Sequence, residues 1–202
     1  MYSQNAEEKM ILDYFGGFKG TLLDIGANDG RTFSNSLALI ERGWKAMLIE
    51  PDADAFEKLT ALHGGNKNVH CYNIAIADKD GEFDFYKSGT HLNKGDAGLL
   101  STLSEQDYEK WKDVTEYEMV KTKAVCFNTF MEICGEKKFD FITIDAEGMD
   151  WSIVRQMDLN ALGCKLVCIE HNGKKLKMFN AYFNSYGMNL IYGNAENVIY
   201  ER

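Results

Sequence analysis

The chain of 202 residues carries 31 acidic against 22 basic side chains, a formal charge of −9, with 45% hydrophobic residues and a single proline. That balance excludes a disordered chain, and it excludes a surface built to neutralise long nucleic acids, which needs clustered positive charge. Length and apolar content predict one domain over residues 1–202 with a sizeable buried core.

The opening stretch "MYSQNAEEKMILDYFGG" predicts an amphipathic helix with Ile11, Leu12, Tyr14 and Phe15 on its apolar side. It lacks the apolar centre of a secretion signal, and no run of about 18 apolar residues occurs in the chain. The five cysteines form no C-x-x-C pair. Together these features predict a cytoplasmic protein without a membrane segment or disulfide framework.

"TLLDIG" then reads as a buried strand that runs into a turn bracketed by Gly26 and Gly30. Thr32 or Ser34 is placed to cap a helix carrying Phe33, Leu37 and Ile40, which Gly43 ends. "WKAMLIE" gives a second strand, Phe56, Leu59 and Leu62 mark a second helix, and "NVHCYNIAIA" gives a third strand. This β-α-β-α-β order implies a parallel sheet with right-handed crossovers.

Over residues 79–127 the pattern changes, which predicts an inserted hairpin and lid: "GEFDFYKSG" alternates like a strand, "SEQDYEKWKD" is helical and polar, and "EYEMVKTKAVCF" is strand again. The glycine-rich "SGTHLNKGDAGLLS" between them is expected to be a mobile gate. Alternation resumes with "FDFITID" as strand, "DWSIVRQMDLNALG" as helix, "KLVCIEH" as strand and "KLKMFNAYFNSYG" as helix. "MNLIYG" and "NVIYER" follow, separated by "NAE", too short for a crossover helix, so the sheet should end in an antiparallel hairpin.

The first turn decides the ligand class. A phosphate loop needs G-x-x-x-x-G-K-[ST], but the second glycine here comes one place early and Arg31 stands where lysine is required; a dinucleotide fingerprint fails because position 28 is Asn. What remains is a glycine turn whose amides and following helix can take a carboxylate. One strand later, Glu50 is placed to accept both hydroxyls of a ribose. A nucleoside carrying an amino acid has that outline.

"DIGANDG" at 24–30, "IEP" at 49–51, "NIAIADKDGEFDF" at 73–85 and "FDFITIDAEGMD" at 139–150 occur in order, each in its strand context. With them the chain resembles the FkbM-type class I methyltransferases from about residue 20 to 172. The resemblance implies a Rossmann-like α/β fold, S-adenosylmethionine as cofactor, and O-methylation of a sugar or small natural product. It implies that Asp24, Gly26, Ala27, Asn28 and Gly30 wrap the methionine part, Glu50 the ribose, and Pro51 and Ile74 the adenine, with Asp145 also at the cofactor. Many class I methyltransferases carry an acid near the position of Ile74 to hold the adenine amine; here a backbone group or Asp78 would take that contact.

Structural readings stand beside these. Asp24 also suits bracing of its turn, Glu50 a helix cap, and either Asp145 or Glu147 a cap of the helix that follows. Asp145, Glu147 and His171 all end strands facing one crevice, which makes them the candidates for taking a proton from an acceptor hydroxyl; a side chain rather than a metal ion is the expected agent. Tyr108 and Lys112 form a literal Y-x-x-x-K but read as a solvated helical face, and Cys164 and Cys168 read as core residues. "DAD" at 52–54 and "DKD" at 78–80 imitate a nucleotide-sugar glycosyltransferase, which with an inactive cofactor-binding module forms the alternative reading.

Overall fold

The structure is a computed structural model describing residues 1–90, 98–171, 173 and 175–202. Its elements in chain order are α1 (Glu7–Phe15), β1 (Thr21–Ile25), α2 (Leu37–Glu41), β2 (Lys45–Ile49), α3 (Ala53–His63), β3 (Val69–Tyr72), β4 (Ala75–Ile76), β5 (Gly81–Ser88) and α4 (Glu105–Trp111). They continue with β6 (Tyr117–Val125), α5 (Phe127–Cys134), β7 (Phe141–Ile144), α6 (Asp150–Val154), β8 (Leu166–Glu170), α7 (Leu176–Ser185), β9 (Asn189–Gly193) and β10 (Asn197–Glu201).

Strands that are apolar at nearly every position need cover on both faces. The main sheet meets that need, in the order β3-β2-β1-β7-β8-β10-β9. On one face Leu22, Ala46, Leu48, Phe141, Leu166 and Cys168 pack with Ile11 and Phe15 of α1, Leu39 and Ile40 of α2, and Leu59 of α3. On the other, Leu23, Met47, Ile142, Val167 and Tyr200 pack with Phe130 of α5, Ile153 of α6, and Phe179 and Phe183 of α7. The first five strands of that order run parallel, and β10 is antiparallel to both β8 and β9, forming the expected closing hairpin. The predicted Rossmann-like α/β class is observed, and Cys164 and Cys168 are fully buried core residues.

A second sheet, β4-β6-β5, is built largely from the insertion, with β5 and β6 antiparallel over eight residue pairs. The third predicted strand therefore splits, its first half pairing with β2 and Ala75 and Ile76 with β6, and at the break Asn73 turns its side-chain amide back onto the carbonyls of Glu50 and Pro51. The expected gate centres on residues 91–97, which lie outside the described residues.

Two helices are shorter than their patterns suggest. Phe33 is not helical but has φ +55°, and the Ser34 hydroxyl accepts from the amides of Ser36 and Leu37, which delays the start of α2. α6 stops at Val154, and α5, absent from the sequence reading, supplies the connection into β7. Among the described residues no helix is long and apolar enough to cross a membrane.

β1 leads to β2 on one side and is joined by β7 on the other, so the strand order reverses between β1 and β7. There the backbones crowd: Gly26 has φ +89°, and a Cβ on it would collide with the carbonyl oxygen of Asp145. Gly26→Ala is expected to destabilise the fold by about 1–3 kcal/mol or more from overpacking together with a strained φ, read as a lower urea midpoint. A midpoint equal to wild type would show that the two strand ends do not meet so closely.

Candidate active site

In open α/β sheets ligands bind beyond the carboxyl ends of the strands, where the order reverses. A cavity of about 350 Å³ lies there. The registers Ile25↔Ile49, Ile25↔Ile144 and Ile144↔Ile169 place Glu50, Gly26, Asp145 and Glu170 in the next row across β2, β1, β7 and β8. All four line the cavity, with Asp24 two residues before Gly26 and on the same face. Its remaining wall includes Phe33 and Asn35 after the first turn, and Phe85, Leu100, Thr102 and Trp111 from the insertion.

Each acid has its own local logic. Asp24 is buried and accepts from the Ser36 hydroxyl at 2.5 Å; burial raises its pKa to about 6 against that hydrogen bond. Glu50 accepts the Asn28 amide at 2.7 Å and the Asp52 amide at 2.8 Å, and burial still lifts it to about 8. It is therefore not the cap of α3; Asp52 is, accepting from the amides of Asp54 and Ala55. A carboxylate offers about four lone-pair sites, so Glu50 keeps two for a ligand.

The turn "DAEGMD" divides its acids by task. Asp150 accepts the amides of Ala146 and Gly148 and so closes the turn. Glu147 at φ +44° and Gly148 at φ +97° make its sharp part, and Lys175 donates to the Gly148 carbonyl at 2.9 Å. Asp145 and Glu147 are left to face the cavity. Burial, then the charges of Asp150 and Asp24, push Asp145 up to about 7, and burial with the Asp145 charge pushes Glu147 well above the carboxylate range.

Of the residues singled out in the sequence, Asp24, Gly26, Ala27, Asn28, Glu50, Pro51, Asp145 and Glu147 line this cavity; Gly30, Ile74 and His171 do not. Gly30 packs against Leu59 and His63 of α3, and Ile74 belongs to the core, with Ala75 and Ile76 lining in its place. His171 accepts the Gly173 amide at Nδ1 and meets the Asn194 carbonyl at 3.0 Å from Nε2, on the β9–β10 side. Asp78 pairs with Arg155 at 2.8 Å.

The residue that sequence reasoning passed over is Glu170, next to the chosen His171. The signal was strand alternation: Leu166, Cys168 and Glu170 share one face, and His171 falls on the other. Three of the buried side-chain atoms without a hydrogen-bond partner belong to residues of the cavity wall: Asn35 Oδ1, Trp111 Nε1 and Glu170 Oε2. Buried polar groups are normally satisfied, so such a concentration makes this cavity the candidate ligand site. The other motif matches are engaged elsewhere: Tyr108 stacks on Tyr86, Lys112 pairs with Glu109, Asp54 with Lys87, and Asp80 accepts from Cys126 and Thr129.

Residues 24–189 match the methyltransferase FkbM domain. Among solved structures, the chain is similar to methyltransferase FkbM from Methylobacillus flagellatus KT, with 11% identity and a TM-score of 0.56 over 91% of this chain and 44% of that one. It thus spans less than half the length of that relative. It is also similar to a putative methyltransferase, yhhF, from Escherichia coli (12% identity, TM-score 0.52, 99% of this chain and 87% of that one). A third is precorrin-6y C5,15-methyltransferase from Geobacter metallireducens GS-15 (9% identity, TM-score 0.51, 96% and 87%). At these identities the likeness is one of fold. No curated protein sequence matches the chain.

A carboxyl that ionises less readily in the folded chain than in the unfolded one costs stability as it ionises. Asp24 moves from 3.8 to about 6, Asp145 from 3.8 to about 7 and Glu50 from 4.5 to about 8. The ligand-free protein should therefore lose stability as pH rises from about 4 to about 8, read as a melting temperature lower at about pH 8.5 than at about pH 5. A melting temperature that rises over this range would mean that these acids are compensated in the free protein.

Proposed function

The chain belongs to the FkbM methyltransferase family, and from that premise we propose that it transfers a methyl group from S-adenosylmethionine to a hydroxyl oxygen of a sugar or small natural product. The observation that carries this reading is the row of acids along one cavity, Glu50, Asp145 and Glu170, with Asp24 beneath it. Desolvated carboxylates favour a cationic ligand, and S-adenosylmethionine supplies an electrophilic methyl on a positively charged sulfonium.

The residues present suit that cofactor. The β1 turn brings the backbone of Gly26, Ala27 and Asn28 to the cavity wall with no bulky side chain in the way. Two lone-pair sites left on Glu50 match two adjacent ribose hydroxyls. Pro51, Ala75, Ile76 and Ile153 give an apolar wall for a purine ring. Methyl transfer is an in-line displacement, so the enzyme's main work is alignment and exclusion of water, and Phe85, Leu100, Thr102 and Trp111 wall the insertion side. Asp145, which burial lifts to about 7, is the group we assign to take the proton from an alcohol near neutral pH, and Glu147, pushed further up, stays protonated beside it as a hydrogen-bond donor.

Isothermal calorimetry with S-adenosylhomocysteine tests the cofactor and the ribose contact together. The wild-type protein should prefer this ligand over its 2′-deoxy form by tenfold or more, as expected when a hydrogen bond to a charged group worth about 1.5–3 kcal/mol is lost. Glu50→Ala also frees the amides of Asn28 and Asp52, so its overall affinity is a mixed quantity; the loss of discrimination between the two ligands is specific. Discrimination retained in Glu50→Ala would remove Glu50 from the ribose site, and no binding of either ligand by wild type would overturn the cofactor.

A further inference from the structure

We propose that Asp145, Glu147 and Glu170 form a divalent-cation site in the floor of the cavity, selective for hard ions such as Mg²⁺ or Mn²⁺, whose open positions hold the acceptor by two adjacent oxygens. One oxygen from each carboxylate lies within 4.8 Å of the others. Oxygens bound to one hard ion stand ~2.0–2.6 Å from it, so donors on opposite sides are ~4–5 Å apart, and the three carboxylates match that spacing.

A second observation separates this cluster from an ordinary acidic patch. Glu170 is 8% exposed, its Oε2 has no hydrogen-bond partner, and it lines the cavity. The acids around it are otherwise engaged: Glu50 holds two amides, Asp150 two amides and Asp24 a hydroxyl, while no hydrogen bond or ion pair from the described residues reaches the side chains of Asp145, Glu147 or Glu170. Among the described residues Lys110 relieves Glu147 and Glu170, but it lies over the Trp111 ring at 4.1 Å rather than on either acid. A doubly charged ion offsets three like charges at one point.

Three single-oxygen ligands would leave about three of six octahedral positions, enough for a water and for two neighbouring oxygens of one molecule. The ligand class this selects is an oxygen-rich acceptor with vicinal hydroxyls or a hydroxyl beside a carboxylate. A hydroxyl held on such an ion is more acidic than a free one. This last step rests on the methyl-transfer reading; the ion site itself does not.

The test is titration of the protein with Mn²⁺, followed by loss of the electron paramagnetic resonance signal of the free ion, with Mg²⁺ as competitor. Wild type should bind one Mn²⁺ saturably and release it to Mg²⁺. Glu170→Gln and Glu147→Gln, each checked for folding by circular dichroism, should bind it at least tenfold more weakly. In metal-free buffer Glu170→Gln should melt no lower than wild type, since it replaces a buried carboxyl that no hydrogen bond or ion pair from the described residues supports, and Mn²⁺ should raise the melting temperature of wild type alone. No saturable binding by wild type, or equal binding by both glutamine variants, would overturn the site. S-adenosylhomocysteine binding measured separately keeps the two readings apart: Mn²⁺ binding without it leaves the ion site and rejects the cofactor, and the reverse rejects the ion site.

Discussion

Parallel strands in register force their last residues into a row, and in this chain that row is acidic. Glu50, Asp145 and Glu170 stand at matching positions on β2, β7 and β8, with only Gly26 between the first two. Burial makes each hard to ionise, and neighbouring carboxylates add to it: Asp52 and Asp24 for Glu50, Asp150 and Asp24 for Asp145, and Asp145 and Glu147 for Glu170. The rest of the molecule is arranged around tolerating this. The sheet beneath is covered by helices on both faces, so the strand ends have no freedom to splay, and the repulsion is held in place by a core of fully buried Leu, Ile, Phe and Trp side chains.

Two loops decide which acids are spent on structure and which are left over. In "DIGANDG" the Asn28 side chain accepts the Asp29 amide, and Asp29 in turn accepts the amides of Arg31 and Thr32 and the Thr32 hydroxyl, which holds Asp29 below the usual carboxylate range despite partial burial. In "DAEGMD" Asp150 does the same work for Ala146 and Gly148. Short polar side chains that bond their own backbone make tight turns self-supporting. The longer carboxylate of Glu50 then reaches from β2 to the Asn28 amide and locks the first turn to its neighbour strand. Asp145 and Glu147 are spared such duties, and that gives the cavity its unbalanced charge.

Much of this was legible in the residues. Runs such as "TLLDIG" and "AMLIE" predict doubly buried strands because no solvent face interrupts them, and their final acids mark the ligand end of the sheet. What the sequence hid has particular causes. Phe33 has the right spacing for a helix with Leu37, but the side chains of Asp29 and Ser34 capture the amides that a helix would have used. α5 is hard to read because "FNTFMEIC" is brief and lacks an N-cap side chain: Cys126 stands at that position and makes no capping bond. Glu170 is harder to read than His171 because a histidine at a strand end carries the more obvious acid–base chemistry, although two-residue alternation along β8 puts Glu170 on the face of Leu166 and Cys168.

The insertion shows how a segment with no recognisable motif can still be tied to the chemistry. Thr102 donates its hydroxyl to the carbonyl of Glu147 at 2.6 Å, and its own backbone pairs with Tyr86 of β5. Tyr86 stacks on Tyr108 of α4 at 4.3 Å, and Tyr108 meets Tyr117 of β6 edge-on at 5.2 Å. A chain of contacts therefore runs from the outer hairpin to the turn that presents Asp145 and Glu147. The same segment places Phe85, Leu100 and Trp111 on the cavity wall, with Trp111 Nε1 still lacking an acceptor. The insertion that carries this indole N–H also holds, through Thr102, the Glu147 carbonyl next to the glycine that shapes the turn. The insertion wall and the turn that carries Asp145 and Glu147 are thus joined by a direct hydrogen bond, although they lie on segments more than forty residues apart in the chain.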